Sequence, residues 1–166
     1  MPVVYSFSFR RVPIAGASHG FRPILDVRLR GPSGAVLTKM LVDSGADCPV
    51  IAARLARRLG LTLEETTRGR GIAGRVPAWR SRMIVEIHHH SGWLTPIEVP
   101  VEVPARGAPP IDVLGREGFF AAYDILFRLG PVPERGVFVV APHGSVRRVF
   151  PKHATRFGRG RKGLAG

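Results

Sequence analysis

Apolar and polar residues alternate along much of the chain, a pattern that predicts β-strands rather than helices. The clearest case is Ile97-Glu98-Val99-Pro100-Val101-Glu102-Val103, in which every second side chain is apolar, as in a strand with one buried face. By the same pattern, strands are predicted at residues 3–12, 21–29, 35–42, 83–87, 97–103, 125–129 and 137–140, with a further apolar run at 111–115. The pattern therefore indicates an all-β domain.

Two short segments depart from this alternation. Residues 50–59 carry apolar side chains every fourth position, and Gly60 follows as a C-terminal stop, which predicts a short amphipathic helix. The repeating apolar residues are Ile51, Leu55 and Leu59. Residues 116–123 are a candidate for a second, brief helix. We thus expect one or two short helices beside the strands.

Composition is that of a single globular domain. The chain has 166 residues, of which 45% are hydrophobic, enough to form a core without disulfides. It holds one cysteine, and it shows neither a signal peptide nor an apolar run of the roughly 18 residues that a membrane span needs. We expect a cytoplasmic protein without a membrane partner, with its folded domain at residues 1–142.

Positive charge is concentrated at the C-terminus. The net charge is +13, and seven cations lie in the last twenty residues without an acid among them. These are Arg147, Arg148, Lys152, Arg156, Arg159, Arg161 and Lys162. We interpret residues 143–166 as a solvated, flexible tail. Binding of nucleic acid or another anionic surface by this tail is the less favoured alternative, because no aromatic residue after Phe157 could stack on bases.

The segment Leu41-Val42-Asp43-Ser44-Gly45-Ala46-Asp47 is the most informative for function. It places an acid, Asp43, directly after an apolar strand. Gly45 allows a tight turn that brings backbone N–H groups towards the carboxylate, and the Ser44 hydroxyl can brace that turn. On these three residues alone, a capped turn is a more frequent explanation than catalysis.

Three segments together resemble the retropepsins, the retroviral aspartic proteases and their bacterial relatives. The stretch 41–51 is similar to the family's apolar strand followed by Asp-Thr/Ser-Gly-Ala. Gly71-Ile72-Ala73-Gly74 falls where the family has its glycine-rich flap, and Val113-Leu114-Gly115-Arg116 resembles the apolar pair and Gly-Arg that precede its last helix. The resemblance covers roughly residues 21–140. The departures are Ser44 for the commoner Thr, Ala73 for Gly, and the basic tail.

The resemblance implies a closed, barrel-like β-domain that forms a symmetric homodimer. In this family two carboxylates activate one water, and this chain has a single Asp-Ser/Thr-Gly, so both acids would be Asp43 from two copies. The resemblance thus assigns catalysis to Asp43, Ser44 and Gly45, with the homodimer obligate for activity, a peptide or protein as substrate, and no metal or organic cofactor.

The remaining roles are also carried over from the resemblance. Asp47 and Arg116 would form a partly buried, bidentate ion pair at the edge of the dimer. Substrate contacts would come from Leu41, Asp47, Val50, Gly71, Ile72, Ala73, Pro110, Ile111 and Val113. Because most of these are apolar, the preferred cleavage site should be apolar too.

Other functions remain as alternatives. The same fold could serve as a non-catalytic peptide-binding or dimerisation module, with or without anion binding by the tail. His88 and His90 lie on one side of a strand and could hold zinc, but no third ligand is evident, so a polar hairpin end is preferred. Cys48 has no apparent histidine partner, which favours a packing role over a nucleophilic one.

Overall fold

The computed structural model describes residues 4–14, 17–71, 74–107 and 109–145 of the chain. Within them the protein is mostly β-structure. The strands are β1 (Tyr5–Ser8), β2 (Arg10–Ile14), β3 (Ala17–Arg22), β4 (Ile24–Gly31), β5 (Gly34–Val42), β6 (Glu64–Gly71), β7 (Gly74–His89), β8 (Gly92–Trp93), β9 (Ile97–Pro104), β10 (Val113–Leu114), β11 (Tyr123–Arg128) and β12 (Val137–Pro142). The α-helix α1 (Ala53–Leu59) follows β5. Of the predicted basic tail, residues 146–166 lie outside the described residues.

These strands form three sheets. The largest has the order β10-β5-β4-β7-β6, and β8 and β9 also pair with β7. The second has the order β1-β12-β11, and β2 and β3 form a two-stranded ribbon. The strand β7 is long and pairs with three of these strands along its length. Its N-terminal half pairs with β6, its middle with β9 and its C-terminal part with β4.

The prediction of a closed barrel is not met by the described strands. No continuous ladder joins β9 to β10 in the described part of the chain. Instead Val50 makes isolated pairings with Glu102 of β9 and with Val113 of β10. A single residue, Val50, therefore connects β9 to β10. One residue is too short to form a strand that would close a barrel.

Alternation of side chains places the core between the strands and α1. In β9 the residues Val99, Val101 and Val103 are buried, as their spacing predicts, and Phe119 and Phe138 are the largest fully buried side chains. The helix α1 adds Leu55, Ala56 and Leu59 to the same core. Burying each large apolar side chain stabilises the fold by about 1.5–3 kcal/mol.

Three boundaries differ from the prediction. The strand expected at 3–12 is broken at Phe9, so that β1 and β2 enter different sheets. The strand expected at 21–29 is divided at Pro23, which has no N–H to donate to a ladder. The helix begins at Ala53 rather than at residue 50, because Val50 is held in an extended bridge.

The helix expected at residues 116–123 is also shorter and irregular. Helical turns occur at Arg116–Phe120, but Glu117 is extended and Gly118 has a φ of 77°. A side chain at Gly118 would meet Val99 at 2.8 Å. This glycine thus allows the chain to pass close to β9 and turn towards β11.

None of the helices in the described ranges is both long and apolar enough to cross a membrane.

Candidate functional site

The Asp43 turn lies where β5 leaves the large sheet. The side chain of Asp43 is half-buried, and its Oδ1 accepts a hydrogen bond of 2.8 Å from the backbone N–H of Gly45. The Ala46 N–H also points back to the Asp43 carbonyl at 3.3 Å. A Cβ atom at Gly45 would lie 3.1 Å from the same carboxylate oxygen, closer than nearly all ordinary Cβ contacts. Gly45 therefore both caps the carboxylate and leaves room for it.

The strand β10 fixes this turn from the other side. It runs parallel to the end of β5, with Val113 opposite Leu41 and Leu114 opposite Val42. The backbone N–H of Asp43 donates to the Leu114 carbonyl at 3.1 Å. Because these bonds are made by backbone on the rigid end of a sheet, the position of the Asp43 carboxylate does not depend on a loop alone.

The chain then returns beside β10 and brings three predicted wall residues together. Val50 exchanges two backbone hydrogen bonds with Val113, of 3.0 and 2.9 Å. Val113 thereby lies between Leu41 and Val50, and all three side chains are half-buried. Pro110, on the loop that leads into β10, is exposed. Ile111, on the same loop, is half-buried and lines a cavity of about 730 Å³.

A close crossing of two backbones lies beside the turn. A Cβ atom added to Gly115 would come within 2.9 Å of three backbone atoms of Cys48. The next two N–H groups bond across the same crossing, Arg116 to the Ala46 carbonyl at 2.9 Å and Glu117 to the Asp47 carbonyl at 2.7 Å. The Gly-Arg of the sequence thus closes directly onto the Asp43 segment.

The structure brings Asp47 and Arg116 into direct contact. The Arg116 guanidinium donates to Oδ1 of Asp47 through one nitrogen. Both side chains are 61% exposed in the single chain, so the pair is neither buried nor bidentate there as the resemblance implied. Surface pairs of this kind stabilise a folded chain by about 0–1 kcal/mol.

The segment predicted to be a flap lies at the hairpin of β6 and β7. Gly71 at the end of β6 pairs with Gly74 at the start of β7. The expected substrate contacts Ile72 and Ala73 lie outside the described residues. The two strands of this hairpin pair in antiparallel register.

Sequence reasoning missed Asp112. Its Oδ1 accepts a hydrogen bond of 2.8 Å from the Ala52 N–H at the start of α1, and its carbonyl accepts one of 2.9 Å from Leu41. Burial raises the pKa of the Asp112 carboxyl, an effect opposed by the Ala52 N–H and by Arg54. A signal existed in the sequence, because the residues before α1 (Pro49-Val50-Ile51-Ala52) include no side chain that caps a helix.

Cys48 is enclosed by the same crossing. Its side chain is only 4% exposed, and burial, with smaller contributions from Glu102 and Glu117, raises the pKa of its thiol to about 12. Because the thiolate is the reactive form, a nucleophilic role for Cys48 is not supported.

This burial predicts that Cys48 resists alkylation. At pH 8, iodoacetamide should label the native protein at least about 100-fold more slowly than the urea-unfolded protein, since the buried thiol is both neutral and shielded. Mass spectrometry over time measures both rates. Rapid labelling of the native protein, at a rate close to that of the unfolded chain, would contradict this description of the crossing.

The histidine run does not form a metal site in the described part of the chain. The His88 ring packs on Trp93 with 4.8 Å between centroids, and His90 packs on His89 at 3.7 Å. Among the described residues there is no group of three or more His, Cys, Asp or Glu side chains that could hold a metal ion.

Comparisons with known proteins agree with this geometry. A retropepsin-like aspartic protease from Rickettsia conorii is similar in structure, with 15% identity, coverage of 86% of this chain and 94% of that one, and a TM-score of 0.50. EIAV protease complexed with the inhibitor HBY-793 matches 57% of this chain and 82% of its own, at 23% identity and a TM-score of 0.41. The similarity to the Rickettsia conorii structure shows that the fold is retropepsin-like. No curated protein matches the sequence significantly.

A protein-family model also matches the chain. The model described as Aspartyl protease matches residues 25–117, which is more than half of the chain and extends from the second residue of β4 to just beyond the Gly115 crossing. The chain belongs to the aspartyl protease family.

Proposed function

We propose that the protein is an aspartic endopeptidase that hydrolyses peptide bonds as a homodimer, with one Asp43 from each copy. The observation that carries this proposal is the Asp43 turn at the end of β5. Its half-buried carboxylate accepts the Gly45 N–H, and its backbone N–H donates to the Leu114 carbonyl. Such a group is fixed in place but leaves its second oxygen available to water.

A second carboxylate for the pair must come from another copy. Every other aspartate of the chain already has a different partner within the described residues. Asp26 contacts Arg10 and Lys39, Asp47 contacts Arg116, Asp112 binds the Ala52 N–H, and Asp124 contacts His143. A two-fold axis beside Asp43 would supply the missing acid without a further motif.

The proposed reaction uses one proton shared between the two carboxyl groups. Two carboxyl groups about 3 Å apart cannot both be ionised, because their negative charges repel each other. One Asp43 therefore stays protonated while the other acts as base. The base removes a proton from a water, which attacks the peptide carbonyl, and the acid protonates the carbonyl oxygen. The carboxyl group that took the proton from water then gives it to the leaving nitrogen as the C–N bond breaks, and the other carboxylate recovers its proton from a hydroxyl of the tetrahedral intermediate. The protein would supply this chemistry without a metal or an organic cofactor.

The substrate would lie extended between the Asp43 turns and the hairpins of β6 and β7. Backbone hydrogen bonds would hold it, and alternate side chains would contact the walls. The half-buried residues Leu41, Val50 and Val113 stand together beside Asp43 and favour apolar substrate side chains. Pro110, Ile111, Gly71, Ile72 and Ala73 remain proposed contacts from the neighbouring loop and hairpin.

For the Asp47–Arg116 pair we expect an effect on assembly rather than on the single chain. Arg116→Gln and Asp47→Asn should each raise the dissociation constant of the dimer about tenfold. The unfolding free energy of the monomer should change by less than about 1 kcal/mol, because the pair is exposed in one chain and would lose solvent only in the dimer. Sedimentation over a concentration series measures the first quantity.

The matched control for this pair is Arg82→Gln, which removes another exposed contact, the one between Arg82 on β7 and Glu98 on β9. That variant should leave the dimer constant unchanged. If Arg116→Gln dimerises as tightly as the unaltered protein, the pair has no part in assembly.

The proposed activity is tested by incubating the protein with a diverse peptide library, beside Asp43→Asn. Cleavage at apolar junctions by the unaltered protein only would support it. Peptide binding without cleavage would favour instead a non-catalytic module with the same fold. Binding of nucleic acid through the basic tail is a separate proposal, favoured only by the seven cations of the last twenty residues, and it ranks below proteolysis.

A further inference from the structure

We infer that Asp112 is a positioning residue that holds the substrate-facing loop before β10 against the start of α1. This inference rests on the proposed function and extends it, because Asp112 is neither part of the carboxylate pair nor among the expected substrate contacts. It lies directly between Ile111, an expected wall residue, and Val113.

Three contacts fix the position of Asp112. Its side chain accepts the Ala52 N–H at 2.8 Å, and its carbonyl accepts the Leu41 N–H at 2.9 Å. The next residue, Val113, exchanges backbone bonds with Val50. Asp112 is therefore the point at which one loop is joined both to the strand that leads into Asp43 and to the segment that leaves it.

The hydrogen bond from Ala52 has no local replacement. The first residues of α1 have no side-chain cap, and no acidic residue lies in the first turn of the helix. An N–H at a helix start that lacks a partner costs free energy when it is removed from water. Without the Asp112 carboxylate, the start of α1 and the loop would lose the side-chain hydrogen bond that joins them.

The contacts that hold the loop residues Pro110 and Ile111 differ from those that hold Asp43. Asp43 keeps its own bonds to Gly45 and to the Leu114 carbonyl whether or not the Asp112 side chain is present. Loss of the Asp112 carboxylate should therefore displace Pro110 and Ile111 but leave Asp43 in place. We expect weaker substrate binding and little change in the chemical step.

The environment of Asp112 also predicts a pH dependence. Burial raises its carboxyl pKa, so ionisation is less favourable in the folded chain than in the unfolded chain. The stabilisation from the neutral acid is complete below the ordinary pKa of 3.8 and is lost as the pH rises through the raised value. Other charged groups line the same 730 Å³ cavity or face the carboxyl: Arg54 on α1, Asp26 on β4, Lys39 on β5 and His88 on β7.

The test compares Asp112→Ala and Asp112→Asn, with Tyr123→Phe as control. Tyr123→Phe removes another partly buried hydrogen bond between distant segments, from the Tyr123 hydroxyl to the Thr95 carbonyl, at 3.1 Å. For an apolar peptide substrate at pH 6, Asp112→Ala should raise KM about tenfold with kcat within about twofold, the size expected for one lost hydrogen bond. Asp112→Asn retains an acceptor oxygen and should restore KM. Tyr123→Phe should leave KM unchanged.

A second readout is the dependence of unfolding free energy on pH. Asp112→Asn should abolish the part of this pH dependence that arises from Asp112. At neutral pH the unfolding free energy of Asp112→Asn should equal or exceed that of the unaltered protein. An unchanged KM in Asp112→Ala, a fall in kcat alone, or no rescue by Asp112→Asn would overturn the inference.

Failure of the proposed function can be told apart from failure of this inference. If the unaltered protein is as inactive as Asp43→Asn, proteolysis is refuted, and the same variants are compared by calorimetry with a non-cleavable apolar peptide. Binding about tenfold weaker in Asp112→Ala than in Tyr123→Phe would still support the positioning role. Equal binding, or no binding by the unaltered protein, would overturn it.

Discussion

Replacing Asp43 by Asn should lower kcat/KM for peptide cleavage by on the order of 10⁴-fold while leaving the fold intact. In the proposed homodimer the substitution removes both the base and the acid, and each such group contributes about 10² to 10⁴ to the rate. The amide oxygen of the new side chain can still accept the Gly45 N–H, so the turn should persist. Initial rates on an apolar peptide, with circular dichroism as a check on folding, measure both outcomes.

Mixing the two proteins provides the control for this prediction. Because active pairs would need an intact Asp43 on each side, an excess of Asp43→Asn should suppress the activity of the unaltered protein as mixed dimers form. Asp26→Asn is the matched substitution, since Asp26 is bound by Arg10 and Lys39 and lies outside the turn. It should neither lose activity nor suppress it. Activity that survives Asp43→Asn would refute the catalytic assignment.

Gly115→Ala should destabilise the protein by about 3 kcal/mol, near the upper end for over-packing, and should also reduce cleavage. The added methyl would lie within 2.9 Å of the Cys48 backbone, and neither side of the crossing is free to move. Hydrogen bonds from Arg116 to Ala46 and from Glu117 to Asp47 hold both segments in place. Urea unfolding, with the free energy extrapolated to water, measures the loss of stability.

The backbone of Gly115 is extended, with φ of −92°, so any loss must come from the clash rather than from conformation. Gly92→Ala is the contrasting variant, because its φ of 125° is unfavourable for alanine but nothing lies within 4 Å of the added atom. It should lose some stability and keep full activity per folded molecule. A Gly115→Ala protein as stable as the unaltered one would show that the crossing is looser than described.

The parts of the fold that follow from local pattern could be predicted from the sequence. The buried face of β9 follows from the alternation of its side chains. The end of α1 at Gly60 follows from the left-handed backbone conformation that glycine tolerates. The Asp43 turn was predictable as well, since the apolar strand, the acid and Gly45 are neighbours in sequence.

Features set by distant contacts could not be predicted in this way. The start of α1 was misplaced because Val50 is held extended by Val113, more than sixty residues further on. The role of Asp112 escaped notice for the same reason, since its partner Ala52 is equally distant. No closed barrel forms among the described strands because β9 and β10 are joined only through Val50, which pairs with Glu102 and Val113. These pairings connect residues that are distant in sequence.

The most direct test of the proposed mechanism is a crystal structure of the protein with a statine-type peptide, in which the distance between the two Asp43 carboxyl groups is measured. Our proposal predicts a two-fold dimer with carboxylate oxygens about 3 Å apart, both within hydrogen-bonding reach of the inhibitor hydroxyl. A monomer, or a dimer in which the two acids face away from each other, would contradict it.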